Sequence, residues 1–406
     1  MLTCTALVVG SGVAGLTAAQ ALAARGLSVM VVEQGSVVGG HAAGYACKAG
    51  ADCVLCGVCL AAQGIRSLRA APGPVVRVDT SVVALEGSPG RFTARLVQRA
   101  RGIDVARCTA CGLCVRVCPV GAISPLPWAE EPRACVLDFD ACLRASGNPC
   151  ALCREACPFG AVRLEPGTRE DTVTAAVVVV ATGFTPFPAS AKSRFGYGRL
   201  PGVITTMDLE QGLRQQGTAY LEHQAPAGRR LAFVHCVGSR DVAAGRGWCS
   251  QVCCPTALRL ARRLAGDVPD LEATLFFMDL QRCAPGIARL FRVLPPEIHL
   301  VRGLPAEVRA GTGGLVVTYE DLATATRCQG EFDVIVLAVG MDGPPSVGGL
   351  PEGTGGFLTD LPRGVVAAGA CGGPVSIAEA AAEGLRAAGA ALKTLEELAC
   401  PVPGRH

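Results

Sequence analysis

The chain has 406 residues, half of them hydrophobic, with 37 Lys+Arg against 34 Asp+Glu, so the net charge is 37 − 34 = +3. That length gives room for two or three domains, and the near-neutral charge argues against a nucleic-acid or strongly acidic partner. No apolar run approaches the ~20 residues of a membrane span, and no charged leader with a cleavage site precedes the first apolar run, so a cytoplasmic protein is expected.

Leu7 to Glu33 reads as strand, glycine loop, helix, strand. Leu7, Val8 and Val9 form an apolar run, and Gly10, Gly12 and Gly15 then fit G-x-G-x-x-G. Gly10 suits a tight turn, Gly12 lets backbone approach a pyrophosphate, and Gly15 lets helix and strand pack closely. The helix opening at Val13 and Ala14 points its N-terminus at the phosphates. Gly26 stops that helix, and Val29 to Val32 lead to Glu33, placed to accept ribose hydroxyls. The alternative is a Gly-rich turn in some other α/β domain. Next come Gly39, Gly40 and His41, a loop suited to the flavin side of a dinucleotide, where His41 either touches the cofactor or has no role.

The 22 cysteines bound the chemistry more tightly than any other count. A large chain without a secretory leader uses cysteines for metals rather than disulfides. Sixteen fall into four groups. The first is Cys47, Cys53, Cys56 and Cys59, whose x2 spacings wrap one cluster readily. A [4Fe–4S] cluster is the preferred reading there. Zinc also takes four thiolates, and a redox pair Cys53–Cys56 leaves Cys59 unexplained. Six more, Cys4, Cys135, Cys283, Cys328, Cys371 and Cys400, are scattered and read as buried small hydrophobes.

Val75 to Leu85 and Arg91 to Gln98 look like strands joined by Gly-Ser-Pro-Gly, the small meander that follows the first βαβ unit of flavin domains. Then Cys108-x2-Cys111-x2-Cys114-x3-Cys118-Pro119 matches the bacterial ferredoxin run, and Cys142-x7-Cys150-x2-Cys153-x3-Cys157-Pro158 is its second half. The fourth cysteine of each run ligates the other cluster in such ferredoxins. One set is then Cys108, Cys111, Cys114 and Cys157, and the other Cys118, Cys142, Cys150 and Cys153. The seven-residue gap after Cys142 departs from the usual spacing. Gly121-Ala122-Ile123 and Gly160-Ala161-Val162 repeat one turn, as an internal duplication would. Thr172 to Val180 resumes the flavin domain as a buried strand ending Ala181-Thr182-Gly183.

Arg230 to Val234 should open a second nucleotide-binding unit, but His235-Cys236-Val237-Gly238-Ser239 stands where its glycine fingerprint belongs. Cys249, Cys253 and Cys254 follow, with a helix expected over Pro255 to Leu264. Both adjacent cysteines reach one cluster only if that helix start frays or turns sharply. Leu271 to Asp279, Ile298 to Gly303 and Leu315 to Tyr319 complete the second unit, and Phe332 to Ala338 is another buried strand. Gly364 to Gly369 reads as the last flavin-domain strand, before Ala370 and a helix from Ser376 and Ile377 to Leu395. The N-terminus of that helix would stabilise negative charge on a reduced flavin; the alternative is a plain terminal helix.

Gly238-Ser239-Arg240-Asp241 with Trp248-Cys249-Ser250-Gln251-Val252-Cys253-Cys254 resembles the cluster motif of the heterodisulfide reductase HdrA family. So do Asp52-Cys53-Val54-Leu55-Cys56, the ferredoxin insertion and Ala367 to Glu379. The resemblance covers nearly the whole chain. It implies a thioredoxin-reductase-like flavin fold with FAD, an inserted ferredoxin domain, and about four [4Fe–4S] clusters, including one at Cys236, Cys249, Cys253 and Cys254. It implies an electron-distributing oxidoreductase subunit, partnered by the other subunits of such a complex and by ferredoxin or another carrier. The longest members carry an N-terminal extension and a C-terminal ferredoxin domain; here the fingerprint starts at Leu7 and the chain stops after the last helix, as in short relatives of sulfur-metabolism and quinone-linked complexes.

The expected fold class is α/β, with two dinucleotide-type domains. The expected division is 1–100 for the first part of the FAD domain, 101–168 for the ferredoxin insertion and 169–225 for the second FAD part. Residues 226–330 form a degenerate NAD-type domain with a cluster motif, and 331–406 the C-terminal FAD part. Two rivals remain: a self-sufficient NAD(P)H-dependent oxidoreductase like the small subunit of glutamate synthase, and a structural scaffold with zinc sites.

Overall fold

The computed structural model describes residues 2–50, 52–68, 73–125, 134–165, 167–226, 228–281 and 287–399. Its apolar runs become the central strands of two sheets.

The first sheet is organised on Thr168–Val180. It starts with three exposed residues, then alternates partly buried and buried ones from Thr172 to Ala176, and over Thr168 to Ala175 it pairs antiparallel with Arg91–Arg99. Its C-terminal half, Val177 to Val180, is completely buried. There it pairs parallel with Leu2–Val9 on one side and Val365–Ala367 on the other. A strand with parallel neighbours is covered on both faces, which is why alternation gives way to four consecutive valines. The full order is Val75–Arg77, Val29–Val32, Leu2–Val9, Thr168–Val180, Arg91–Arg99, Thr80–Ser88. The helices Val13–Ala23 and Ile377–Ala399 lie together on one face, where Ala14, Ala18, Ala387 and Ala391 allow close approach. No helix among the described residues is long and apolar enough to cross a membrane.

The expected strand Val75 to Leu85 is two strands. Val75–Arg77 pairs parallel with Val29–Val32, whereas Thr80–Ser88 pairs antiparallel with Arg91–Arg99. The break is Asp79, held at φ +54°. Its carboxylate accepts from Ser36 and binds Arg101 at 2.8 Å, long-range contacts that no local pattern announces.

Arg99 and Thr168 are directly paired, and the Ala100 N–H donates to the Gly167 carbonyl at 2.8 Å. Residues between them therefore leave and rejoin the sheet at one point, as an insertion. Among its described residues stand the short helices Leu113–Val117 and Leu152–Glu155, and Ile123–Pro125 pairs antiparallel with Cys135–Leu137.

The second sheet is parallel, in the order Val203–Thr205, Val334–Val339, Arg230–Val237, Glu272–Phe277, Ile298–Arg302. Leu315–Asp321 is not part of it. That strand is the middle of an antiparallel sheet with Pro305–Ala310 and Thr326–Phe332. The helix expected from Pro255 starts two residues earlier, as Cys253–Asp267.

All twenty described cysteines are free thiols. Of the scattered ones, Cys135 and Cys371 are buried, but Cys4 and Cys328 are only half-buried, against expectation. Cys4 lies near the exposed start of the strand Leu2–Val9, and Cys328 is on the outer strand Thr326–Phe332. Cys283 and Cys400 lie outside the described residues.

Candidate functional site

A cavity of about 1070 Å³ opens at the C-terminal ends of Leu2–Val9 and Thr168–Val180. Its size is at the upper end of small-molecule sites. Gly10, Gly12, Val13, Ala14, Glu33, Gly39, Gly40, His41, Ala181, Thr182, Gly183, Gly369, Ala370, Ser376 and Ile377 all line it. Gly15 stands behind the wall: a Cβ there would collide with the Gly10 carbonyl. Gly10 has φ +99°, and a Cβ on it would strike Ala181. Gly12 is the opposite case, because a Cβ there would meet no protein atom within 4 Å. A dinucleotide pyrophosphate would be that missing neighbour.

Polar groups on the wall fit the same ligand. Glu33 Oε2 accepts from the Ser11 N–H at 2.8 Å and the Ser11 hydroxyl at 2.6 Å, and Oε1 accepts from the Gly35 N–H at 2.7 Å. The carboxylate is held in place with acceptor capacity left for ribose hydroxyls. Thr182 Oγ1 is buried with no partner, an orphan that a ligand's polar atom would satisfy. His41 Nε2 lies 3.1 Å from the Phe184 carbonyl, with the two rings 4.6 Å apart. Ser376 and Glu379 cap each other at the start of the long helix: the Ser376 N–H donates to Glu379 Oε2 at 2.8 Å, and the Glu379 N–H to Ser376 Oγ at 3.3 Å. The Ser376 N–H, donating to it, holds the Glu379 carboxyl below its usual pKa.

Sequence reasoning missed a buried ion pair on this wall. Lys48 Nζ lies 2.5 Å from Glu210 Oε1, and both side chains are 3% exposed. Glu210 Oε2 also accepts from the Ala46 N–H at 3.1 Å. Burial raises the Glu210 pKa and Lys48 works against that rise. The partners lie far apart in the chain, so only the fold joins them. Arg259 was missed too. It is buried on the cavity wall and donates to the Leu55 carbonyl at 3.3 Å. Burial lowers its pKa, while Cys56 and Cys53 nearby favour its charge.

The four cysteine groups differ in setting. Cys108, Cys111, Cys114 and Cys157 line one small cavity in the ferredoxin unit, so the fourth cysteine of the second run does meet the first run. Cys153 lies beside Cys118 and Cys142; burial and then those charges push its thiol up. The repeated turns have a physical role here. The Ala122 N–H points at Cys118 Sγ at 3.2 Å, and the Ala161 N–H at Cys157 Sγ at 3.4 Å. Each thus solvates the last thiolate of its own run.

Cys236, Cys249, Cys253 and Cys254 also converge. Burial first, and then Cys254 and Cys249, push the Cys236 thiol up to about 12; Cys253 is raised by burial and then by Cys236 and Cys254. The register shifts between Val234 and Val237, and Cys236 takes φ +58°. Gln251, at φ +60°, makes the sharp turn that lets the adjacent Cys253 and Cys254 open a helix together. His235 is buried, with Nδ1 3.5 Å from Cys254 Sγ and Nε2 without a partner; burial lowers its pKa to about 4. The first group is the most open: Cys47, Cys53 and Cys59 are exposed and Cys56 half-buried. No three described His, Cys, Asp or Glu side chains are set to hold a single metal ion. A cluster, by contrast, spreads four thiolates over several irons.

Cys56 and Cys253 both line the large cavity. Two thiol groups therefore border the space that the glycine loop opens.

Residues 8–69 match the family of NAD(P)-binding Rossmann-like domains, and residues 102–124 the 4Fe-4S binding domains. In Methanothermobacter marburgensis, the A chain of H(2):CoB-CoM heterodisulfide,ferredoxin reductase is 30% identical over 94% of this chain and 62% of its own length. In Methanocaldococcus jannaschii, the corresponding iron-sulfur protein of CoB--CoM heterodisulfide reductase is 29% identical over 95% of this chain and 63% of its own length. The chain thus spans under two thirds of these relatives. Among solved structures, thioredoxin reductase of T. acidophilum has a TM-score of 0.54 at 16% identity, covering 98% of this chain and 100% of that one. Thioredoxin reductase of Lactococcus lactis gives 0.53 at 16%, covering 97% and 99%. The fold is therefore that of thioredoxin reductase, with a ferredoxin-type insertion.

Proposed function

The chain is homologous over nearly its whole length to the HdrA proteins of heterodisulfide reductase, and from that premise we propose that it is an electron-transfer oxidoreductase subunit carrying FAD and about four [4Fe–4S] clusters. It relays electrons between the other subunits of a heterodisulfide-reductase-like complex, with ferredoxin or a similar carrier at one end, in the cytoplasm. Substrate reduction belongs to a partner. The observation that carries the reading is the wall shared by the glycine loop, Cys56 and Cys253.

Bound FAD would supply a two-electron store that releases electrons singly, as clusters require. The rest is done by the chain's own groups. Gly12 leaves room for the pyrophosphate at the start of the helix Val13–Ala23. Glu33, fixed by Ser11, accepts ribose hydroxyls. The start of the helix Ile377–Ala399 lines the cavity, and its dipole favours negative charge there. Cys47, Cys53, Cys56 and Cys59 would hold one cluster, and Cys236, Cys249, Cys253 and Cys254 another. The ferredoxin insertion, 101–168, would hold two more and face a partner. Residues 1–100, 169–225 and 331–406 make up the FAD domain, and 226–330 the NAD-type domain.

Anaerobic reconstitution of the full chain tests this. About sixteen irons, from four cubanes of four, and one released flavin per chain are expected. Iron near eight with two zinc ions would leave only the ferredoxin pair, and a well-folded preparation without flavin would overturn the FAD site.

A further inference from the structure

The chain passes between its two sheets after Thr168–Val180 and again after Val334–Val339, and the two passages meet. Thr185–Pro186 pairs antiparallel with Met341–Asp342, a ladder of two residues on each side. So short a ribbon is not stable by itself. The loop that carries Cys249 grips it. The residues on either side of Cys249 take both backbone groups of Met341: Trp248 Nε1 donates to its carbonyl at 2.9 Å, and its N–H donates to Ser250 Oγ at 3.3 Å. Ser250 and Met341 are both buried. Arg246, from the same loop, makes a two-pronged pair with Asp342, Nε to Oδ1 and Nη2 to Oδ2 both at 2.7 Å. Its guanidinium lies 4.9 Å from the centre of the Phe187 ring.

We propose that Trp248 and Ser250 are positioning residues: they clamp the passage at Met341 to Cys249, so that a cluster on Cys236, Cys249, Cys253 and Cys254 fixes how the two sheets stand to each other. The inference rests on the cluster assignment above. Cys236 belongs to the strand Arg230–Val237, and Cys253 and Cys254 open the helix Cys253–Asp267. Cys249 comes from the loop between them. A cluster shared by the four thiolates ties that loop to the strand and the helix, as metal sites do when they order a segment. The position that Cys249 then takes passes to Trp248 and Ser250 through one peptide bond each, and from both to Met341. Met341, Thr185 and Pro186 also line the large cavity. A stiffened passage therefore holds the glycine loop of the first half at a constant distance from Cys253, which is the geometry an electron relay requires.

The test is hydrogen–deuterium exchange on the anaerobic, reconstituted full chain, read at the Phe187 amide. That N–H donates to the Gly340 carbonyl at 2.9 Å across the passage, not to either clamp residue. Pro186 and Pro188 on either side have no amide hydrogen, so its signal stands apart. Wild type is compared with Cys253→Ser, which should lack one cluster, and with Ser250→Ala and Trp248→Phe, which keep every thiol. Exchange at Phe187 should be about tenfold faster in Cys253→Ser, and about threefold faster in each clamp variant at wild-type iron content, the weight of one hydrogen bond. Exchange in the ferredoxin insertion should not change. An iron-depleted Cys253→Ser whose Phe187 amide exchanges as in wild type would overturn the proposal and leave the cluster assignment standing. So would unchanged exchange in both clamp variants. Loss of about four irons from both clamp variants, with the ferredoxin EPR signals intact, would support it, because coupling between two sites is reciprocal. Equal iron in wild type and Cys253→Ser would sink the cluster assignment and this proposal with it.

Discussion

The two strand–turn–helix units of this chain share an architecture and differ at the turn. After Leu2–Val9 the turn is Gly10-x-Gly12, and Gly12 faces space that no protein atom fills. At the end of Arg230–Val237 the chain fills that space itself: His235 is buried within the strand, a Cβ on Gly238 would strike the Phe187 ring, and Ser239 is buried. The next helix, Val13–Ala23, begins with small apolar residues over the cavity, whereas Cys253–Asp267 begins with two thiols. The same topology thus leaves an open glycine turn in one half and gathers thiols in the other. The scaffold allows both, and the turn residues choose.

The largest expected effect comes from removing the open face of the first turn. Gly12→Val should abolish flavin binding, from about one per chain to none, as read from absorbance after denaturation. The iron content should survive. Flavin retained at full occupancy would mean that Gly12 does not line the cofactor. Next, the thiol cage: Cys253→Ser should remove one cluster of four, about four irons of sixteen, and leave the ferredoxin EPR signals intact. Cys56→Ser should do the same for the other group on the cavity wall. Loss of the ferredoxin signals in either variant would contradict independent sites.

How far the comparison is readable from the sequence varies by residue. Gly10, Gly12, Gly15 and Glu33 are local chemistry at fixed spacing, and each occupies the position its spacing implies. The missing fingerprint after Val234 is equally local. The split at Asp79 is not, because Ser36 and Arg101 hold its carboxylate. The Lys48–Glu210 pair and Arg259 are invisible for the same reason: their neighbours come from distant segments. Cys135 is buried as expected, but its place on the cavity of Cys108, Cys111, Cys114 and Cys157 is a contact that no spacing announces.

A smaller effect sharpens how the halves are joined. Lys48 comes from the first unit, and Glu210 from the helix Thr206–Gln216 that leads into the second sheet. Lys48→Met leaves a buried carboxylate without its cation and should cost about 3–5 kcal/mol of stability. Lys48→Met with Glu210→Leu should recover most of it, as read by thermal unfolding. A single variant as stable as wild type would mean that the pair ties nothing.

The most direct test of the central claim, that the second turn holds thiols and not a nicotinamide dinucleotide, is stopped-flow mixing of the anaerobic, cofactor-loaded chain with NADH and then with NADPH, without any partner. The account predicts that the flavin absorbance does not bleach at turnover-like rates with either. Rapid bleaching by one of them would contradict it, and would make the chain a self-sufficient oxidoreductase of the kind exemplified by the small subunit of glutamate synthase.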